Sequence, residues 1–245
     1  MISKPKIAIL TTPGTNCHEE TAYAVEQAGG QAEILLIRYL LEGVQKIVDY
    51  QSLIIPGGFS WGDHIAAGRV AGVHLIARLR EQIQILLDRN APIAGICNGF
   101  QILSETGLLP NRELGVRSLA LLQNLSARFE SRKVRLKFPQ SGCIWTQGLA
   151  DRTLVMPIPV AHAEGRLSRS DGIIPACYYI DEQEEATGDY PGNPNGSPEG
   201  IAGITDETGL IFGLMPHPER AVEEWHCSTD GRLIFSSLIS FLNQS

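Results

Sequence analysis

The sequence has little positive charge and no long apolar segment. It carries 20 Lys and Arg against 27 Asp and Glu, a formal net charge of −7, and it contains no basic block. A basic patch is the usual footprint of nucleic-acid binding, so this balance argues against that class of protein. No apolar run reaches the length that spans a bilayer, and the amino terminus does not fit a signal peptide. We therefore expect a cytoplasmic protein with no membrane contact.

Cysteine is scarce, and phosphate-binding motifs are missing. No two cysteines have C-x-x-C spacing, and the five are scattered: Cys17, Cys97, Cys143, Cys177 and Cys227. An odd, scattered set argues against a disulfide framework and against a zinc site. Neither Gly-x-x-x-x-Gly-Lys-Ser/Thr nor Gly-x-Gly-x-x-Gly occurs. We expect no metal in this chain and no ability to activate a substrate with ATP by itself.

Strand-like and helix-like segments alternate in the first half of the chain. Such alternation with short connections predicts an α/β protein with a doubly wound, mostly parallel sheet flanked by helices. Later in the chain, helices become sparse and strand-like runs dominate, which predicts antiparallel additions to the sheet. The length of 245 residues suits a single domain over residues 1–245. The predicted strands are 6–10, 32–37, 51–55, 131–138, 154–160, 178–180, 201–204 and 209–215, and the predicted helices are 17–29, 70–89 and 233–242.

The segment Gly95-Ile-Cys-Asn-Gly99 lies between a short apolar run and a helical pattern. The two glycines allow strand and helix to approach closely, and they place Cys97 on a tight turn at a helix N-terminus. A helix N-terminus favours the thiolate, which is the reactive form of cysteine. Cys97 is therefore a candidate nucleophile, although a buried structural cysteine is the other interpretation of this segment alone.

A thiol nucleophile in acyl transfer needs a general base, and His217-Pro-Glu219 is the best candidate. Pro218 favours an extended conformation for His217, and residues two apart on an extended chain point the same way. Glu219 can then reach the far ring nitrogen of His217 and fix its tautomer. A solvated His–Glu pair in a surface loop is the alternative. His162 is a weaker candidate, and His226 beside Cys227 lacks a third metal ligand.

Backbone N–H groups are the expected oxyanion donors. One belongs to Asn98, directly after the nucleophile, and another to Gly58 in Pro56-Gly-Gly58, where a strand is predicted to end. Because sites in parallel sheets form at the carboxyl ends of strands, this loop and Cys97 are expected to meet. A plain glycine turn remains the other interpretation of Gly57 and Gly58.

Together these strings resemble the signatures of class I, triad-type glutamine amidotransferases, which have a flavodoxin-like fold. Further strings narrow the resemblance to the glutaminase subunits of phosphoribosylformylglycinamidine synthase, from about residue 6 to the C-terminus. These are Pro13-Gly-Thr-Asn16, Pro56-Gly-Gly-Phe-Ser-Trp-Gly-Asp63, Asn124-Leu-Ser-Ala-Arg-Phe-Glu130, Asn193-Pro-Asn-Gly-Ser197 and Gly213-Leu-Met-Pro-His-Pro-Glu-Arg220.

The resemblance implies a role for each matching position. Cys97 would form a glutamyl thioester, His217 would move the proton and Glu219 would orient His217. Gly58 and Asn98 would supply oxyanion donors, and Gln101 would help to hold glutamine. The ammonia would pass to a separate synthetase subunit in purine biosynthesis, which uses ATP and Mg²⁺, with a small third subunit bridging the two.

The chain departs from the usual pattern of these subunits at two places. It has His162-Ala-Glu-Gly165 where they usually read His-Gly-Glu-Gly, and Trp61-Gly-Asp-His64 where they usually read Tyr-Gly-Asp-Tyr. Neither departure touches the triad. An alternative function on the same scaffold is a stand-alone cysteine hydrolase that cleaves γ-glutamyl or peptide bonds. A third is a binding or redox-sensing module in which His217 and Glu219 are dispensable.

Overall fold

A computed structural model of the chain describes residues 4–149 and 156–244. The strands in these ranges are β1 Lys6–Thr11, β2 Gln31–Leu36, β3 Ser52–Ile55, β4 Ile93–Ile96, β5 Leu121–Gln123, β6 Glu130–Lys137, β7 Met156–His162, β8 Glu164–Leu167, β9 Ile174–Tyr179, β10 Ile201–Thr205 and β11 Ile211–Leu214. The helices are α1 His18–Gln27, α2 Ile37–Leu41, α3 Arg69–Arg78, α4 Arg80–Asp88, α5 Asn98–Thr106 and α6 Arg232–Leu242. No described helix is long and apolar enough to cross a membrane.

Nine strands form one sheet in the order β2-β1-β3-β4-β11-β10-β9-β6-β7. The five strands from β2 to β11 pair in parallel, and the four from β10 to β7 pair antiparallel. This confirms the predicted α/β sheet with antiparallel additions. The final strand, β11, differs from the expectation for the second half, because it inserts in parallel beside β4 at the centre of the sheet.

The central strands consist of small and branched apolar residues that are buried along their whole length. In β3 and β4 every residue is buried, which is typical of parallel strands covered by helices on both faces. In β7 buried and half-buried residues alternate, as expected where one face of an antiparallel strand is less covered. The covered centre of the sheet therefore holds the carboxyl ends of β3, β4 and β11 in fixed positions.

Two predicted elements differ from the structure, and a third lies partly outside the described residues. The single helix predicted over 70–89 is two helices, because the backbone turns at Leu79 (φ −119°, ψ 12°), and Leu79 is itself buried. The strand predicted over 32–37 ends at Leu36, since Ile37 begins the short helix α2. The strand predicted over 154–160 is described from Met156, and its first two residues lie outside the described residues.

The Pro/Gly/Asn-rich segment after Asp181 is an ordered loop. Asn193 donates to the Ser197 carbonyl at 2.8 Å, and Asn195 donates to the Gly165 carbonyl at 2.8 Å. All three side chains are buried, so their polar atoms need these internal partners. The loop is thereby tied to β8, one residue beyond Glu164.

Candidate active site

Cys97 lies on the turn between β4 and α5, as the sequence predicts. Its backbone has φ 52° and ψ −107°, a conformation that non-glycine residues rarely adopt and that recurs at functional sites. The N–H of Cys97 donates to the Leu214 carbonyl of β11 at 2.7 Å, which fixes the turn to the neighbouring strand. A Cβ on Gly99 would lie 1.8 Å from the Ile55 carbonyl oxygen, so only glycine allows α5 to pack this closely on β3.

His217 and Glu219 follow β11, the strand beside β4, and form a buried pair. His217 Nδ1 and Glu219 Oε1 are 2.6 Å apart, and both side chains are almost fully buried. The conformation that brings them together differs from the expectation. The chain is not extended across them, because Pro218–Arg220 is a turn of 3-10 helix. The N–H of His217 donates to the Pro159 carbonyl at 2.8 Å and anchors this turn to β7.

The charges around His217 favour its protonated form. Burial lowers the pKa of His217, but the carboxylate of Glu219 and then the Cys97 thiolate outweigh it and hold the pKa well above its usual range. His217 Nε2 has no hydrogen-bond partner among the described residues, whereas Nδ1 is held by Glu219. The Cys97 sulfur is partnered by the Ala161 carbonyl at 3.6 Å. The arrangement can therefore transfer a proton between Cys97 and Nε2 once the thiol turns toward the ring.

A second thiol, Cys17, lies on the other side of the imidazole. Its sulfur is 3.9 Å from His217 Nδ1, donates to Asn16 Oδ1 at 3.1 Å and accepts from Arg220 Nη2 at 3.1 Å. Burial raises the pKa of Cys17, which keeps this thiol neutral. Sequence reasoning did not single out Cys17, because no motif marks a residue whose only relation to the triad is proximity in space.

Cys17, His217 and Glu219 are also the one group of metal-ligand donors that comes together in the described part of the chain. Their donor atoms lie within 4.8 Å of one another. The guanidinium of Arg220 touches the sulfur, and the imidazole and carboxylate are already hydrogen-bonded to each other. A cation there would have to displace both interactions. The geometry therefore suits residues that orient the His217 imidazole better than it suits a metal centre.

The expected oxyanion loop lies next to the first loop of the chain. Gly58 has φ 148°, and a Cβ there would lie 2.7 Å from the Gly14 carbonyl oxygen and 2.8 Å from the Asn16 nitrogen. Glycine is therefore required at this close contact between the two loops. Asn98 is the first residue of α5, where a backbone N–H has no intrahelical acceptor. Both predicted donor residues thus lie beside Cys97. The role of their N–H groups as oxyanion donors stays a prediction.

A cavity of about 50 Å³ adjoins Cys97. Its lining includes both predicted residues Gly58 and Gln101 and two acidic residues. The Gln101 amide donates to the Glu164 carbonyl at 2.6 Å and accepts from Asn98 Nδ2 at 2.8 Å. Gln101 therefore holds the wall of the cavity in place as well as lining it. The complete lining is Gly58, Phe59, Asp63, Ala67, Cys97, Gln101, Ala161, His162, Ala163 and Glu164.

The sequence singled out His162 only weakly, yet it is buried in the cavity wall. Its Nδ1 is 3.1 Å from Asn124 Oδ1, and the Asn124 amide nitrogen donates to two carbonyls, so the oxygen must face the ring. Burial, with the nearby charge of His217, lowers the pKa of His162 to about 4. The ring is therefore neutral, Nδ1 carries the proton, and Nε2 offers an unpartnered lone pair.

These features define a class of protein: an α/β enzyme with a cysteine nucleophile, a His–Glu pair and a glycine loop around one small cavity. The family of CobB/CobQ-like glutamine amidotransferase domains matches residues 4–235, and this chain belongs to that family.

Several similar proteins are subunits of one enzyme. The chain is 41% identical to phosphoribosylformylglycinamidine synthase subunit PurQ of Dehalococcoides mccartyi, over 99% of this chain and 100% of that protein. It is 39% identical to the PurQ subunit of Archaeoglobus fulgidus, over 98% and 97% of the two chains. Among solved structures, a chain of PurLQS from Thermotoga maritima superimposes with a TM-score of 0.81 at 34% identity, covering 98% of this chain and 100% of that one.

Proposed function

We infer that the chain is the glutaminase subunit of phosphoribosylformylglycinamidine synthase, in purine biosynthesis. The full-length similarity to PurQ subunits supports the specific reaction. The observation on which the chemistry depends is the buried His217–Glu219 pair beside the strained Cys97 turn. This pair is the reason to prefer an acyl-transfer enzyme to a binding module.

In the proposed first step, the Cys97 sulfur attacks the carboxamide carbon of glutamine. The thiol proton resides on His217 Nε2 in the favoured thiolate–imidazolium pair, and the imidazolium passes it to the leaving nitrogen, so that ammonia departs and a thioester remains. The backbone N–H groups of Gly58 and Asn98 bind the oxyanion as it forms. In the second step a water molecule gives its proton to His217 and attacks the thioester, and Cys97 leaves with a proton as glutamate is released. Glu219 stabilises the imidazolium in both steps.

The ammonia must then reach another polypeptide. The relative from Thermotoga maritima is part of a structure of PurLQS. We propose that this chain likewise assembles with a synthetase subunit and a small third subunit. The synthetase subunit would use ATP and Mg²⁺, and this chain, which lacks phosphate-binding motifs, would need no cofactor of its own. A cytoplasmic location fits this pathway.

The experiment compares two nitrogen sources in the assembled complex. Cys97→Ala should abolish glutamine-dependent synthesis and spare synthesis from added ammonia, because the synthetase site is intact. Loss of both activities would indicate a failure of assembly rather than of chemistry, and retention of glutamine-dependent synthesis would refute Cys97 as the nucleophile.

The alternative, a stand-alone cysteine hydrolase, is distinguished by its independence of partners. We propose that the isolated chain has low glutaminase activity, since uncoupled turnover would waste glutamine. Full glutamine turnover without the synthetase, its nucleotide substrate and ATP would favour the alternative.

The proposed partner surface comprises two segments, 181–200 and 61–68. Tyr190 in the first and Ile65 in the second are 60% and 89% exposed, unusual for such large apolar side chains. Phe59, which lines the cavity, stacks on the half-exposed Phe129, with ring centroids 6.3 Å apart. Exposed apolar groups of this kind suit contact with a partner, and Phe59 links such a contact to the cavity beside Cys97.

A further inference from the structure

A chain of polar contacts reaches the His217 ring from outside the cavity that adjoins Cys97. It begins at Glu20 on α1, passes through Arg220 and ends at the Cys17 sulfur, and none of these three residues lines that cavity. Arg220 Nε lies 3.0 Å from Glu20 Oε2, and Arg220 Nη2 lies 3.1 Å from the Cys17 sulfur. No proposed step of catalysis uses their side chains. The contacts therefore need another explanation.

Arg220 belongs to the same turn as the catalytic pair. It is the last residue of the 3-10 turn Pro218–Arg220, and its N–H donates to the His217 carbonyl at 3.2 Å. The side chain extends from that turn to Glu20 on α1. The side chains of Arg220 and Glu20 are 31% and 44% exposed, and an ion pair at such a position adds little to folding stability. The place at which the pair holds the guanidinium therefore explains it better than stability does.

Cys17 is fixed beside the imidazole by its backbone. Its N–H donates to the Gly57 carbonyl at 3.2 Å, and its carbonyl accepts from the Thr21 hydroxyl at 2.7 Å. The residue is buried, and its sulfur lies 3.9 Å from His217 Nδ1. Because the backbone is held at both ends, the rotamer of the side chain decides where the sulfur and its hydrogen point.

The partners of the sulfur determine what it presents to the ring. A thiol has one hydrogen to donate, and Cys17 donates it to Asn16 Oδ1 at 3.1 Å. A guanidinium can only donate, so Arg220 Nη2 donates to the sulfur. The neighbours of His217 Nδ1 are then two acceptors, the Cys17 sulfur and the Glu219 carboxylate at 2.6 Å. Two acceptors keep a proton on Nδ1 and leave Nε2 as the nitrogen that takes up and gives away the proton.

Building on the proposed glutaminase function, we propose that Arg220 is a positioning residue for His217. Anchored by Glu20, its guanidinium holds the Cys17 thiol with the sulfur, and not the hydrogen, toward Nδ1. The planar fork of an arginine can reach a carboxylate and a sulfur at the same time. A neutral thiol is a weak acceptor and does not hold a cation by itself, so the arrangement depends on Glu20. Without Arg220 the thiol is free to rotate, and the imidazole gains room to turn away from Glu219.

The test is a double-mutant cycle on Arg220→Met and Cys17→Ala in the assembled complex. Methionine keeps an unbranched apolar stem and removes the donors. Hydrolysis of glutamine gives kcat and KM. The rate at which iodoacetamide alkylates Cys97, read by peptide mass spectrometry, reports the thiol and its imidazole without the use of glutamine. In a second pair of variants, Glu20→Gln keeps an acceptor for Arg220 Nε and Glu20→Ala removes it.

The matched control is Arg38→Met. It breaks an exposed ion pair with Glu42 on α2, whose side chains are 70% and 53% exposed. The same change of residue type is thereby made where no contact leads to the triad. Arg38→Met should leave kcat, KM and the alkylation rate as in wild type.

We expect Arg220→Met to lower kcat about three- to tenfold and to leave KM within about twofold, because the ring is displaced while the cavity is intact. Alkylation of Cys97 should slow at least about threefold, since the imidazolium that stabilises its thiolate is displaced. The double variant should lie within about twofold of the slower single variant, because without Cys17 the guanidinium has no thiol to hold. Glu20→Ala should lower kcat at least about threefold, and Glu20→Gln should keep it within about 1.5-fold of wild type.

Two results would overturn the proposal. One is a wild-type kcat in Arg220→Met, and the other is a double variant whose loss is the product of the two single losses. If the wild-type complex hydrolyses no glutamine, the proposed function fails, and the cycle on alkylation of Cys97 still decides the role of Arg220. Normal hydrolysis in wild type with independent losses in the cycle refutes the positioning role alone.

Discussion

Gly57→Ala tests whether the position of the His217 ring controls the chemistry. A Cβ on residue 57 would lie 2.7 Å from His217 Cε1 and 3.1 Å from the Cys17 sulfur. Ordinary contacts begin near 3.4 Å, so the ring must move by at least about 0.7 Å. It has little freedom to do so, because Nδ1 is held by Glu219 at 2.6 Å and the His217 backbone by Pro159 at 2.8 Å.

The expected cost has two parts. A displacement on the order of 1 Å in a catalytic group can lower turnover about 100-fold. Overpacking in a rigid interior costs about 1–3 kcal/mol of unfolding free energy, and in a chain of this size each kcal/mol lowers Tm by about 2–4 °C. We therefore expect a folded protein with a modestly lower Tm and a large loss of glutamine turnover.

Glutaminase turnover in the assembled complex and thermal unfolding of the isolated chain provide the measurements. Gly188→Ala is the matched control, because the same methyl group meets nothing within 4 Å there and no positive φ is required. It should leave Tm equal or slightly higher. Because residue 188 lies in the proposed partner segment 181–200, this variant is a control for stability and not for turnover in the complex. If Gly57→Ala kept turnover within threefold of wild type, the reasoning that the ring is wedged in one productive position would be refuted.

Three further variants probe the same site. Glu219→Gln removes the charge that holds the pKa of His217 up against burial. Turnover should fall about 100-fold or more. The loss in free energy of unfolding, relative to wild type, should be largest below the ordinary histidine pKa and should shrink as pH rises through the raised pKa of His217 in the folded protein. A loss that does not change with pH in chemical unfolding would contradict this. Cys17→Ala should keep turnover within about tenfold, since Glu219 still orients His217, whereas complete loss would show that the two thiols have been assigned the wrong way round. Gly99→Ala places a Cβ 1.8 Å from the Ile55 carbonyl oxygen, so the free energy of unfolding should fall by about 3 kcal/mol or more, and soluble yield and Tm should fall with it. A Tm within about 2 °C of wild type would show that α5 can shift.

Patterns of local sequence were sufficient for most of the fold. Short apolar runs predicted β1, β3 and β4, and the spacing of glycines around Cys97 predicted the turn that the structure contains. The position of β11 could not be predicted in this way. Its strand pattern is clear, but whether it pairs in parallel with β4 depends on contacts between residues far apart in the chain.

Residues of the site were predicted from the sequence only where they stand close together in one motif. His217 and Glu219 stand two residues apart, so their pairing was visible in the sequence. Asp63 and Glu164 meet only because the turn after β3 and the start of β8 approach the same cavity. The break between α3 and α4 was missed for a related reason. No proline or glycine marks Leu79, and the turn there is imposed by the burial of the helices on either side.

The pairing of β4 with β11 has a consequence for protein synthesis. Gly95 faces Gly213 and Ile96 faces Leu214 across this ladder, so Cys97 and His217, 120 positions apart, come together only when β11 docks. Closing so long a loop is among the slower events in folding. A nascent chain on the ribosome that has not yet produced residues 211–219 holds the thiol but no base to activate it. The order of synthesis therefore separates the appearance of the thiol from that of its base, and the two meet only in a chain that has been completed as far as β11 and the turn after it.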